Sequence, residues 1–489
     1  MKQCLLMFSW LFIAVSPSLF AQGYGQPLTV QGLDRNTLQS SVSRSLGGVT
    51  VGIQNDIGLM FQNPASLSSL DGMHISVGGL QQFQRVEQIQ HYAPVKYYSN
   101  LSLLLEGLTG SIPDPDSLLG GATAQDTVQR PFDTIGPNWS RSHDATPQLQ
   151  AFLAVPLKVA DVEIVAGIGA VEYADLNYFY QHNNVLSPSI LSERPLPTPR
   201  PPSNADPTLV EWSQRMSSRD GFIRGYGIAF SGSLQDIGIT VGFSGMILQG
   251  ESDDFEQSVS RGKMTFFTNA FRLDSVYERV TTTTASEYSG EEFTLALLYR
   301  TDHVTLGFTV RPPTRIGRSY TSLVSEDSTG VPSVTTVTGR DRIRLPWRGS
   351  VGLALMPRED LMLSMQYDIR PYESAGYKIA GRETFPWLSS SAFGIGVEYR
   401  PIPWIQLRCG IRGKAEVFEP EGNPIPGESV TTSVYSAGFG VLYGGARLNV
   451  VYEYFLLKYQ DVWGSAVSMN RTRSQGFTAN LAYEIPWEW

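Results

Sequence analysis

Cysteine is almost missing from this chain: Cys4 and Cys409 are the whole supply in 489 residues. Cys4 lies in an N-terminal apolar run expected to be removed, so no intramolecular disulfide staples the fold and no cysteine cluster holds a metal. The five histidines (His74, His91, His143, His182 and His303) show no metal-ligand spacing. Charged residues make up only 17 %, lean acidic to a net −9 and form no basic run, which argues against a nucleic-acid partner. Long apolar runs are missing too. The longest, Leu5 to Val15, is too short to cross a bilayer as a helix. Gly242-Phe243-Ser244-Gly245 falls short of a nucleophile elbow. The Gly-x-Gly units at Gly225-Tyr226-Gly227 and Gly394-Ile395-Gly396 lie in strand patterns, not phosphate loops. We therefore expect no enzymatic activity, no catalytic residue, no cofactor and no metal.

What the chain does have is glycine, aromatics and alternation. Phe477, Ala479, Leu481, Tyr483, Ile485, Trp487 and Trp489 form one face of a final strand, and small or polar residues form the other. Thirteen earlier segments repeat the pattern. They begin with His74 to Gln84, Leu149 to Val155 and Val162 to Asn177, and end with Tyr435 to Tyr443 and Ala446 to Tyr454. Short links at 158–161, 233–236, 301–303, 357–360, 401–403 and 444–445 alternate with long ones, as in an up-and-down barrel with tight turns on one side of a membrane. The expected fold is all-β: a fourteen-stranded antiparallel transmembrane β-barrel. A soluble β-sandwich or propeller fits less well, because the apolar face is lipid-like on every strand. Tyr299, Tyr399, Trp404, Tyr443, Trp487 and Trp489 read as one interfacial girdle, and Trp347, Tyr367 and Tyr454 as the other.

Lys2, the apolar run and Ala21 before Gln22 predict a secretory leader over 1–21. Residues 22–72 carry enough apolar side chains to fold into the lumen as a small hatch, and 73–489 form the barrel. A short amphipathic helix is expected near 98–108, an extended Pro-rich loop over 186–207 and a hairpin over 262–286.

The run Ser43-Arg44-Ser45-Leu46-Gly47-Gly48-Val49-Thr50-Val51-Gly52, leading into Phe61-Gln62-Asn63-Pro64-Ala65-Ser66-Leu67, resembles the FadL/TodX family of outer-membrane transporters for hydrophobic molecules. The chain departs from that family's pattern at Gln54 to Gly58. The resemblance implies a bacterial cell outer-membrane protein of a Gram-negative organism, with Asn63, Pro64 and Ala65 as the hatch motif. It implies passive uptake of a hydrophobic small-molecule ligand, a long-chain fatty acid or a hydrocarbon, with lateral exit into outer-membrane lipid. Two alternatives stand beside it: a FadL-like secretion-system component that binds exported proteins, and a general diffusion porin. Trp489 would be the assembly signal read by the barrel-assembly machinery.

The family's lateral gap comes from a kinked third strand. Here the apolar residues of strand three change from even (Val162 to Ile168) to odd (Val171, Tyr173) and back, as a β-bulge would cause. Gly167 and Gly169 are the lateral-gap candidates. The polar phase of the strands puts Arg311, Arg348, Arg400, Arg408, Arg412, Lys414 and Arg447 in the lumen with Asp368, Glu398, Glu453 and Glu484. Cross-strand pairing is their expected role. Arg348 and Arg412, near the outer halves of their strands, are the candidates to bind an amphiphile's head group.

Overall fold

Period-two alternation commits each segment to a strand with one face for lipid and one for the lumen. In the computed structural model these strands form a closed fourteen-stranded antiparallel barrel. Described are residues 40–90, 139–144, 147–159, 162–188, 208–234, 237–267, 278–327, 333–379, 382–420, 427–463 and 466–486. Shorter pieces are described within 28–37, at 204–205 and at 271–274. The leader, the 98–108 segment, most of the Pro-rich loop, Trp487 and Trp489 lie outside them.

Several strands are interrupted along their length. They are β1 (Met73–Gln90), β2 (Trp139–Asp144 and Gln148–Val159), β3 (Val162–Asp175 and Tyr178–Pro188), β4 (Thr208–Leu234), β5 (Ile239–Phe266), β6 (Glu278–Arg300) and β7 (Val304–Arg311 and Thr314–Asp327). There follow β8 (Ser333–Leu345 and Arg348–Arg358), β9 (Leu361–Arg370 and Gly376–Ile379), β10 (Arg382–Thr384 and Ser390–Ile402), β11 (Ile405–Ala415), β12 (Thr431–Tyr443), β13 (Ala446–Trp463) and β14 (Ala466–Ile485). Each pairs with the next, and β14 closes on β1 from Met73–Ile485 to Gln90–Ser468. The turn between β12 and β13 is Gly444-Gly445, both at positive φ (57° and 82°), as a two-residue type I′ hairpin requires. Around the anticipated 262–286 hairpin, Phe271–Asp274 pairs back on the end of β5.

The alternation is visible in exposure. Leu306, Phe308, Val351, Met365, Ile395, Leu407, Phe439 and Leu481 are all exposed on the outer wall. Their neighbours Thr305, Ser364, Gln406, Asn449 and Asn480 are buried inside. Water would reject so many exposed apolar side chains, whereas lipid accepts them.

The hatch fills the lumen. Helix α1 (Ser41–Ser45) starts at Ser40, whose hydroxyl accepts from the Ser43 amide. Two 3₁₀ turns follow, Ile57–Leu59, capped by Asp56, and Pro64–Ser69. Leu46, Leu59, Met60, Phe61 and Leu67 are fully buried although no helix here is long. The barrel wall supplies the other half of their core. It does so by having no side chains where the hatch backbone touches it. A Cβ on Gly410 would sit 2.2 Å from the Gly47 nitrogen, and one on Gly394 2.4 Å from the Gly47 oxygen.

Strand three departs from its expected pattern. Val171 and Tyr173 are buried on the lumen side, in the same phase as Gly167 and Gly169. Their apolar character therefore reflects packing inside the barrel, not a change of face. The bulge lies farther out: Tyr173 is the extra residue between the pairs Glu172–Arg224 and Ala174–Ile223.

Candidate functional site

Above the hatch lies a cavity of about 290 Å³. Gly48, Thr50, Phe61 and Gln62 of the hatch line it below, and Tyr372 and Phe418 contribute aromatic wall. Its charged lining is mostly basic: Arg35, Arg44, Arg311, Arg348, Arg370, Arg412 and Lys414 against Asp34, Asp175, Glu292, Asp368 and Glu416.

Most of these cations are neutralised locally. Glu292 is the hub on one side. It forms an ion pair with Arg348, lies 3.3 Å from Arg311 Nε and accepts from the Tyr173 hydroxyl at 2.6 Å. Arg348 also donates to Thr314 Oγ1 at 2.8 Å and is all but sealed from solvent. On the other side Arg44 pairs with Glu453 at 2.7 Å, and Lys414 sits 3.4 Å from Asp34 and 3.3 Å from Glu416. Buried charges must be paired in this way or they destabilise the fold.

Arg370 and Arg412 differ. Both line the cavity, and neither has an ion pair among the described residues. The Nε of each is buried without a hydrogen-bond partner. The charges acting on Arg412 are those of Glu453, Arg44, Arg370 and Asp368; Glu453 is already paired with Arg44, and Asp368 accepts from Gln366 at 2.8 Å. Two guanidinium groups are thus left facing the cavity with donor capacity unmet. The two anticipated head-group residues, Arg348 and Arg412, both reach the cavity, but only Arg412 lacks a carboxylate partner among the described residues.

Asn63, Pro64 and Ala65 sit below, pressed on the wall. Ala65 O accepts from Ser231 Oγ at 3.1 Å, and a Cβ on Gly242 would lie 2.1 Å from the Ala65 nitrogen. Asn63 Nδ2 reaches Thr50 O at 3.4 Å, tying the two halves of the hatch. Near the divergent Gln54 to Gly58 stretch, Arg447 donates to Asn55 O, and Asn55 itself has φ 53°. Arg408 and Arg400 both pair with Glu398 at 2.7 Å.

The wall is incompletely zipped between β2 and β3. Their pairing runs outward from Val159–Val162 and ends at Ala151–Ala170. Beyond it, among the described residues, β3 bulges at Tyr173 and pairs only with β4, while Trp139–Asp144 pairs only with β1. A small pocket of about 10 Å³ lies there, lined by Thr37, Arg44, Leu80, Gln148, Gln150 and Glu172, and farther out Trp139 and Arg141 of β2 pack on Phe179 of β3. Gly167 and Gly169 lie just before it: Met60 occupies the space a Cβ would need at Gly167, and Phe61 and Phe152 crowd Gly169.

The outer half of the lumen is held by a second network. Arg219 donates twice to Asp254 and once to Gln31 O, and Arg318 pairs with Asp341 at 2.6 Å. Tyr377 donates to Asp341 at 2.7 Å; burial and that carboxylate push its phenol pKa up. Val30 and Leu33 pack into the same apolar cluster as Tyr372 and Trp387.

Three residues here escaped the sequence. Glu292 precedes Phe293, where the lipid-facing run of β6 becomes evident, so its lumen phase was readable. Arg370 ends its strand and was readable in the same way. Arg44 had a family motif around it but no signal of its partner, 409 residues away.

Among solved structures the chain is similar to a Pseudomonas aeruginosa FadL homologue, with TM-score 0.55, 12 % identity and coverage of 92 % of this chain and 99 % of that one. It is also similar to the P. putida toluene transporter TodX, with TM-score 0.56, 13 % identity and coverage of 92 % and 100 %. No family model and no curated protein matches the chain. At such identities the likeness is one of fold.

Proposed function

We propose that this chain, a barrel of the FadL/TodX fold, carries hydrophobic or amphiphilic small molecules passively across the bacterial outer membrane. The observation that carries this reading is the pairing of β2 and β3, which stops at Ala151–Ala170 beside a lumen cavity blocked below by the hatch. In this reading a solute captured above the hatch leaves sideways into lipid and not straight through to the periplasm. The physical logic is that apolar solutes cross a polar outer leaflet slowly, while lateral exit never returns them to water. A diffusion porin would need an open aqueous lumen, and the packed hatch argues against one.

The lining supports a narrower statement. Arg370 and Arg412 suit a cargo with an anionic head group, such as a fatty acid, whose tail lies against Phe61, Tyr372 and Phe418. Gly167 and Gly169 act as lateral-gap residues by keeping Met60 and Phe61 seated beside the opening.

Filling the pocket tests the route. Gln148→Trp should cut uptake of a labelled hydrophobic solute several-fold in cells carrying the barrel, with heat-modifiable gel migration unchanged. Gly167→Val with Gly169→Val should likewise slow uptake without reducing barrel assembly. Unchanged uptake in all these variants would remove the lateral route.

A further inference from the structure

The outer wall above the lipid-facing belt carries a block of clustered positive charge on β7, β8 and β9. Beyond Thr314 the odd residues of β7 face outward, as do the even residues of β8 beyond Leu345. Arg315 lies directly opposite Arg344, and Arg342 lies directly opposite Lys378 on β9. Arg340 extends the row one step farther out. All five are exposed, and none forms an ion pair among the described residues.

Like charges facing each other across a ladder destabilise it. Elsewhere on this barrel such a crowd is relieved: Arg85, Arg471 and Arg473 lie 3.2–3.6 Å from one carboxylate, Glu87. Beside the β7–β9 block, Glu291 lies opposite Arg315 and Glu383 opposite Lys378, but among the described residues neither forms an ion pair with it, and Arg340, Arg342 and Arg344 have no carboxylate opposite them. The block's height is the second observation. Trp347 is exposed on the lipid face of β8, and Arg344 and Arg342 precede it by three and five residues on the outward side. On a tilted strand that places them about 8–13 Å above the girdle, at head-group level.

We propose that this block is a docking site for the phosphorylated glycolipid of the outer leaflet, its acyl chains on the apolar belt and its phosphates between the facing cations. Guanidinium groups bind phosphate through paired, charge-assisted hydrogen bonds. Two rows of them on a rigid sheet match a two-phosphate head group. The inference rests on the outer-membrane reading, not on what the lumen carries.

The test uses the full chain in mild detergent, followed by native mass spectrometry with bis-phosphorylated lipid A, its dephosphorylated form and phosphatidylglycerol. One lipid A should bind per chain in preference to the other two. Arg342→Gln with Arg344→Gln should weaken that binding by at least about tenfold. Arg342→Lys with Arg344→Lys should keep most of it and guards against a folding defect in the first variant. Solute uptake should be unchanged in both. Equal binding by wild type and the glutamine variant, equal binding of both glycolipids, or no binding would overturn the proposal. So would a wild-type dimer that the glutamine variant dissociates, since the face would then join copies of this chain. Glycolipid binding without solute uptake would count against the transport reading alone.

Discussion

Arg44 on the hatch helix lies 2.7 Å from Glu453 on β13, with side chains only 6 % and 1 % exposed. This ion pair joins the plug to the wall at a point neither can reach with water. Removing one partner strands the other charge, which costs about 3–5 kcal/mol in a buried pair. Glu453→Ala should therefore loosen the hatch more than the barrel. Hydrogen exchange should show faster exchange over residues 41–70, with the wall strands unchanged. Equal protection in both proteins would mean that apolar packing alone seats the hatch.

Gly242 and Ala65 make the same junction by contact. A Cβ at 242 would overlap the hatch backbone. Gly242→Val should displace the Asn63-Pro64-Ala65 turn and raise ion conductance in planar bilayers, while the barrel still resists detergent at room temperature. A closed, silent variant would contradict the close fit.

The two unpaired guanidiniums predict selectivity. Arg370→Ala or Arg412→Ala should weaken binding of a fatty acid roughly tenfold, the value of one charge-assisted hydrogen bond, and leave a neutral hydrocarbon unaffected. Isothermal titration with both ligands decides it. An equal loss for both would indicate a packing role.

Arg348 should behave differently although it lines the same cavity. Its guanidinium is bound to Glu292 and Thr314, so Arg348→Ala leaves Glu292 buried with only Arg311 to offset it. The expected outcome is a lower melting temperature in detergent for Arg348→Ala than for Arg412→Ala, with Glu292→Gln in the Arg348→Ala background recovering part of the loss.

The architecture was legible because alternation is a local signal. Leu306 and Phe308 against Thr305 and Thr309 need no knowledge of the rest of the chain, and neither does the Gly444-Gly445 turn. Counting such segments produced the fourteen strands. Lumen charges were legible by phase for the same reason, and Arg348 and Arg412 do face one cavity. Strand three is the exception to this local rule. Val171 and Tyr173 looked like a change of face, because apolar residues on a barrel strand are presumed to meet lipid; the hatch gives them an apolar partner inside.

By itself, then, the sequence determined the strand number and the facing of the wall residues, since both depend on neighbours a few positions apart. Only the tertiary structure decided which charges cancel. Arg44 finds Glu453 and Arg348 finds Glu292 by barrel closure and strand register, which no local pattern encodes. Arg370 and Arg412 within and the β7–β9 block without form no ion pair among the described residues, and these are the charges proposed to meet a ligand.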